Sequence, residues 1–217
     1  MVESGDWELV GDLSVPDGDG PFPAVLMLNQ AAGSRATYGA LAEALLEQGV
    51  ASLRLDLRGH GESTNLGRFN PGEIRRDPLI WDAEPDVAAA LERLRSETRL
   101  DAERLAVVGA SYSAEEAAES GRQTTFAHAY VLLSPGSLDD ASIAAMDGSG
   151  ADWLVISSET DSRLTDIMAS VSSGSALAET RILPGRGHGT GLFDHQPALV
   201  ADLVAWLAAR LDAPGVL

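Results

Sequence analysis

Cysteine and lysine are both missing from this chain, and histidine occurs only four times. Without cysteine there are no disulfides, no thiolate metal ligands and no thiol nucleophile. Without lysine there is no Walker-type phosphate lysine and no imine chemistry on a side-chain amine. The Gly-rich run Gly185-Arg-Gly-His-Gly-Thr-Gly191 lacks the G-x-G-x-x-G spacing of a nucleotide loop. The histidines are scattered and no H-E-x-x-H run occurs, so no metal site and no cofactor are expected. Apolar runs of about 18 residues or more are absent too, so no membrane span is expected. The start, Met1-Val-Glu-Ser-Gly-Asp-Trp7, has neither the basic head nor the apolar stretch of a secretory leader. A cytoplasmic location is the expectation.

Acidic side chains, by contrast, are abundant. Against 33 Asp and Glu stand 15 basic residues, all of them arginine, for a net charge of −18. A surface this acidic repels nucleic acid and anionic membranes, so neither is expected as a partner. The charge reads as solubility or adaptation to salt rather than as a site for a cationic partner. Hydrophobic residues make up 45% of 217 positions, enough for one globular domain over 1–217 with a sizeable core.

Along the chain, apolar strand patterns alternate with helical ones. Strands are expected at Leu9 to Val15 (an edge strand), Ala24 to Leu28, Val50 to Leu55, Leu105 to Val108, Ala127 to Leu133, Trp153 to Ile156 and Ala178 to Leu183. Helical spacing marks Tyr38 to Gln48, Asp82 to Ser96, Ala114 to Arg122, Leu138 to Met146, Arg163 to Val171 and Pro197 to Leu211. Gly49 suits a C-cap, and Pro85 falls in a first turn, where proline is tolerated. Residues 58–80 form a long polar connection. Such alternation predicts an α/β fold: a mostly parallel sheet with helices on both faces and reactive residues at the carboxyl ends of strands.

Those ends carry a pattern. In Leu105-Ala-Val-Val-Gly-Ala-Ser111-Tyr-Ser, an apolar strand stops at a glycine and a serine precedes a helix-forming stretch. Gly109 and Ser113 are small enough for strand and helix to approach closely at a sharp turn. Asp161 follows the next strand but one, and His188 follows the last. A serine hydroxyl needs a base, so His188 is the candidate to take the Ser111 proton and return it to the leaving group. Asp161 is the candidate to orient the imidazole and stabilise its cation, with Glu159 as the alternative acid. A developing oxyanion needs amide donors. The Tyr112 N–H is one, and the second is expected from the loop Asn29-Gln-Ala-Ala-Gly-Ser34. Among other charged and ring side chains, Arg58 reads as an ion-pair partner, Glu115 and Glu116 as helix-start charges, His60 as a loop residue and His128 as a strand residue.

At this point the chain resembles the α/β-hydrolase family over nearly its whole length. Gly109-Ala-Ser111-Tyr-Ser113 is similar to the nucleophile elbow G-x-S-x-G, with Ser113 in place of the second glycine. Asp56-Leu-Arg-Gly-His-Gly-Glu-Ser63 resembles the family's D-x-R-G-x-G-x-S turn, Ser158-Glu-Thr-Asp161 its acid loop, and Gly187-His188-Gly189 its histidine loop. Asn29-Gln30 stands where the family usually has His-Gly. The match implies oxyanion donors at Tyr112 and at Ala31 or Gln30. The small size and the segment Gly11-Asp-Leu-Ser-Val-Pro16 resemble the dienelactone-hydrolase-like branch, which commonly uses cysteine where this chain has serine.

Together these readings predict a serine hydrolase that cleaves small or short-chain carboxylic esters through an acyl-enzyme on Ser111. Thioester or lactone cleavage on the same machinery is the alternative within enzymes; a catalytically silent binding protein is the alternative outside them. The connection from Ser134 to Asp152 has room for one helix, so no cap domain and an open site are expected. Walls of that site are expected from residues 67–80 and from the residues after Ser134. A histidine base predicts activity that falls below about pH 6.

Overall fold

In the computed structural model, residues 1–73, 77–123, 127–161 and 164–211 are described. Four central strands carry unbroken buried runs: β4 (Phe22–Leu28), β6 (Leu100–Ala110, from Leu105 onward), β7 (Ala129–Leu133) and β8 (Asp152–Ser158, from Trp153 onward). Such strands are stable only with both faces covered. They lie side by side in a seven-stranded sheet of order β3-β5-β4-β6-β7-β8-β9, where β3 is Gly11–Ser14, β5 is Ala51–Leu55 and β9 is Glu179–Leu183. Every pairing is parallel except β3 with β5.

Helices cover both faces, as the alternating pattern predicted. On one face α3 (Glu84–Arg95), α4 (Tyr112–Gln123), α5 (Asp140–Gly148) and α6 (Thr165–Gly174) bury Val87, Leu91, Ala117, Ile143 and Met168 against the sheet. On the other, α1 (Gly39–Glu47) and α8 (Leu199–Leu211) bury Leu41, Leu45, Leu203 and Leu207. Two four-residue helices, α2 (Pro78–Trp81) and α7 (Leu192–His195), sit in connections where no helix was expected. Between β7 and β8 there is one helix, α5, and no cap domain among the described residues. Among them, too, no helix is long and apolar enough to cross a membrane.

Several boundaries differ from the sequence reading for identifiable reasons. The strand expected over Leu9 to Val15 is broken at Val10, whose N–H is taken by Ser63 Oγ at 2.8 Å and whose carbonyl accepts the Asp56 N–H at 3.0 Å. Residues before the break form an unexpected antiparallel hairpin of β1 (Val2–Ser4) and β2 (Trp7–Leu9) around Gly5, which has φ +57°. His128 lies just outside β7 rather than in it. The helix expected from Arg163 begins at Thr165, with 162–163 outside the described residues.

Candidate active site

The end of β6 and the start of α4 meet at Ser111, which has φ +56°, a left-handed conformation that costs a residue with a side chain about 1–3 kcal/mol. The turn closes because position 109 is glycine: a Cβ there would stand 2.4 Å from the Ser113 carbonyl oxygen and 2.8 Å from the Ala114 backbone. Ser113, where an elbow glycine was expected by resemblance, has a constructive contact of its own. Its fully buried hydroxyl accepts the Ala110 N–H at 2.9 Å and faces the carbonyls of Ala110 and Leu28 at 3.0 and 3.1 Å. It joins the ends of two neighbouring strands. Two further non-glycine residues with positive φ, Ala32 at 58° and Ser134 at 51°, follow the ends of β4 and β7.

The three residues expected at separate strand ends come together. Ser111 Oγ lies 2.9 Å from His188 Nε2, and His188 Nδ1 lies 2.5 Å from Asp161 Oδ2. The Asp161 side chain is 7% exposed and that of His188 35%, so the acid is shielded while the imidazole stays accessible. Glu159, the alternative acid, is turned elsewhere: its Oε2 accepts the Gly185 N–H at 3.0 Å. Ser158 Oγ donates to the Gly187 carbonyl at 2.7 Å. The β8 end therefore holds the histidine loop through two side chains that sequence reasoning did not assign to it.

Tyr112 opens α4, and a first-turn N–H has no acceptor within its own helix. Across from it, the loop after β4 is fixed at its root by Asn29. This buried side chain accepts the Leu57 N–H at 2.7 Å and donates to the Gln30 carbonyl at 3.0 Å. The Gly33 N–H reaches the same carbonyl at 2.9 Å. Gln30 sends its side chain to the histidine loop, where Oε1 accepts the Thr190 N–H at 2.9 Å.

Two recesses are lined by residues of the neighbouring loops and helices, and neither lining includes Ser111, Asp161 or His188. One of about 520 Å³ is lined by Ala32, Gly33, His60, Arg68 and Phe69, combining the loop after β4 with the 67–80 connection, of which 74–76 lie outside the described residues. His60 is buried there between the rings of Phe69 and Tyr112, and burial pushes its pKa down. The other, of about 280 Å³, is lined by Trp81, Glu84, Glu115, Glu116, Ser137 and Leu138. Glu115 holds the Ser137 hydroxyl at 2.6 Å, and its carboxyl is pushed up by burial. Glu116 is not a solvated helix-start charge, since its side chain is buried. Burial first, and then the charge of Glu115, push its pKa up to about 8. Arg58 is paired with buried Asp86 and is remote in role from both recesses. Among the described residues no group of three or more His, Asp or Glu is arranged to hold a metal ion.

No protein-family model and no curated protein sequence matches the chain. Solved structures match it in shape. Est1E from Butyrivibrio proteoclasticus, with ferulic acid bound, superposes with a TM-score of 0.78 at 16% identity, over 97% of this chain and 98% of that one. A dienelactone hydrolase from Anabaena variabilis gives 0.72 at 20% identity, over 96% and 93%. A 2,6-dihydroxy-pseudo-oxynicotine hydrolase gives 0.72 at 16% identity; 94% of this chain is covered, which spans only 65% of that longer protein. What is shared at such identities is architecture, and the architecture is the α/β-hydrolase fold.

Proposed function

We propose that this α/β-hydrolase-fold chain is a single-domain serine hydrolase acting on small or short-chain carboxylic esters. One observation carries the reading: an unbroken hydrogen-bonded line from Asp161 through His188 to Ser111, with the serine raised on a left-handed turn at a helix start. In this reading Asp161 holds the proton on Nδ1, which leaves the Nε2 lone pair facing the Ser111 hydroxyl. Ser111 Oγ attacks the ester carbonyl as His188 accepts its proton. The negative charge on the carbonyl oxygen is met by the N–H groups of Tyr112 and of Ala31 or Gln30. His188 then protonates the departing alcohol, and water repeats the sequence to free the acid.

The substrate size rests on the uncovered strand ends, where only α5 separates β7 from β8. The bound ferulic acid of Est1E supports a small acid component, and the dienelactone hydrolase supports lactones as a second substrate class on the same groups. Ser111→Ala tests the proposal. With p-nitrophenyl acetate, kcat/KM should fall by at least about 10³-fold, and a fluorophosphonate probe should label the wild type alone. Wild-type turnover in the variant would defeat the mechanism; an unlabelled wild type would favour a silent binding protein.

A further inference from the structure

Gln30 belongs to two loops at once. Its carboxamide Oε1 accepts the N–H of Thr190, two positions past His188, at 2.9 Å. The two loops lie close together: a Cβ at Gly189 would stand 2.1 Å from that oxygen, and Gly189 has φ +55°. Its backbone is fixed at the same time, because the Gln30 carbonyl receives both Asn29 Nδ2 and the Gly33 N–H. A trans peptide points the next N–H away from its carbonyl, so holding this oxygen also fixes the direction of the Ala31 N–H. Ser158 and Glu159 hold the histidine loop from β8. From the β4 side, among the described residues, its hydrogen-bonded tether is Gln30.

Resting on the serine-hydrolase reading, we infer that Gln30 is a positioning residue whose side chain locks the histidine loop to the oxyanion loop. The base and the amide donor then keep one spacing as charge moves between them. Misplacement of such groups by about 1 Å is worth up to about 100-fold in rate.

The test compares Gln30→Met and Gln30→Glu with the wild type, using p-nitrophenyl acetate kinetics and hydrogen exchange at the Thr190 amide. Methionine keeps the length and loses the acceptor. It should lower kcat roughly 10- to 100-fold with KM within about threefold, and Thr190 should exchange faster. Glutamate keeps the acceptor, so Thr190 should stay protected. Its added negative charge favours the imidazolium, so the acid limb of the kcat profile should move to higher pH. Wild-type kcat in Gln30→Met, unchanged Thr190 exchange there, or an unmoved acid limb in Gln30→Glu would each overturn the inference. A wild type inert to the ester and to fluorophosphonate would sink the functional reading instead. Thr190 exchange in Gln30→Met would still decide whether the tether exists.

Discussion

Replacing Ser113 by alanine removes one oxygen from a fully buried position and leaves the Ala110 N–H facing a methyl group. A hydroxyl carries one proton, so Ser113 Oγ donates to one of the two facing carbonyls at a time while accepting from Ala110. Of the groups it serves, the Leu28 carbonyl keeps another donor, the Tyr38 hydroxyl at 2.9 Å. The Ala110 N–H is the one exposed to loss, and an unsatisfied buried donor costs about 1–3 kcal/mol. Alanine nearly fills the serine volume, so a cavity adds little. For a chain of this size each kcal/mol moves Tm by about 2–4 °C, which puts the expected fall at roughly 2–12 °C. Urea and thermal unfolding followed by tryptophan fluorescence give both numbers. Ser113→Gly, which restores the glycine of the familiar elbow pattern, loses the same oxygen and should be no more stable than the alanine variant. A Ser113→Ala protein within about 0.5 kcal/mol of wild type would refute the bridging role.

Two further outcomes concern buried charge. Asp86 is fully buried and accepts from the Arg58 N–H, Nε and Nη2 at 2.9, 3.0 and 2.6 Å, so Asp86→Ala strands a guanidinium and should cost about 3–5 kcal/mol by urea unfolding. Glu116 has a pKa raised from 4.5 to about 8 by burial and then by Glu115, so the folded state resists its ionisation and binds the proton more tightly than the unfolded chain. Its contribution to stability is therefore fully present below pH 4.5 and is lost as pH rises towards about 8. Glu116→Gln should remove that loss, so the variant should gain on the wild type between those pH values, with the two curves parallel outside them and the gain retained above about pH 8. Parallel curves across the whole range would count against a buried, proton-holding Glu116.

The central strands were legible because burial on both faces writes an unbroken apolar run, as in Ala24 to Leu28 and Ala129 to Leu133. Their ends were less so, because side chains decide them. Val10 leaves the sheet for Ser63 Oγ, and β6 begins at Leu100 with Asp101 and Arg104 pairing each other along the strand. The β1–β2 hairpin did have a signal, Gly5-Asp6 between short strand patterns, but three residues a side carry too little periodicity to stand out. At the site, residue types and order pointed to Ser111, Asp161 and His188, while spacing alone did not say whether Asp161 or Glu159 faces the imidazole. Nor does any pattern announce the reach of Gln30 to Thr190, which depends on two loops folding toward each other. Glu116 was misread because a helix-start carboxylate is ordinarily solvated, and its burial depends on how α4 packs.

Ala32, Ser111 and Ser134 concentrate left-handed backbone at the tips of three adjacent strands. Glycine would relieve each of them, so the easiest gains for anyone selecting a more heat-tolerant version of this molecule lie in its reactive rim. Thermal hardiness sought there would trade directly against the shape that raises the hydroxyl of residue 111. Hardening is better directed to the opposite end of the sheet, where turns carry no such duty.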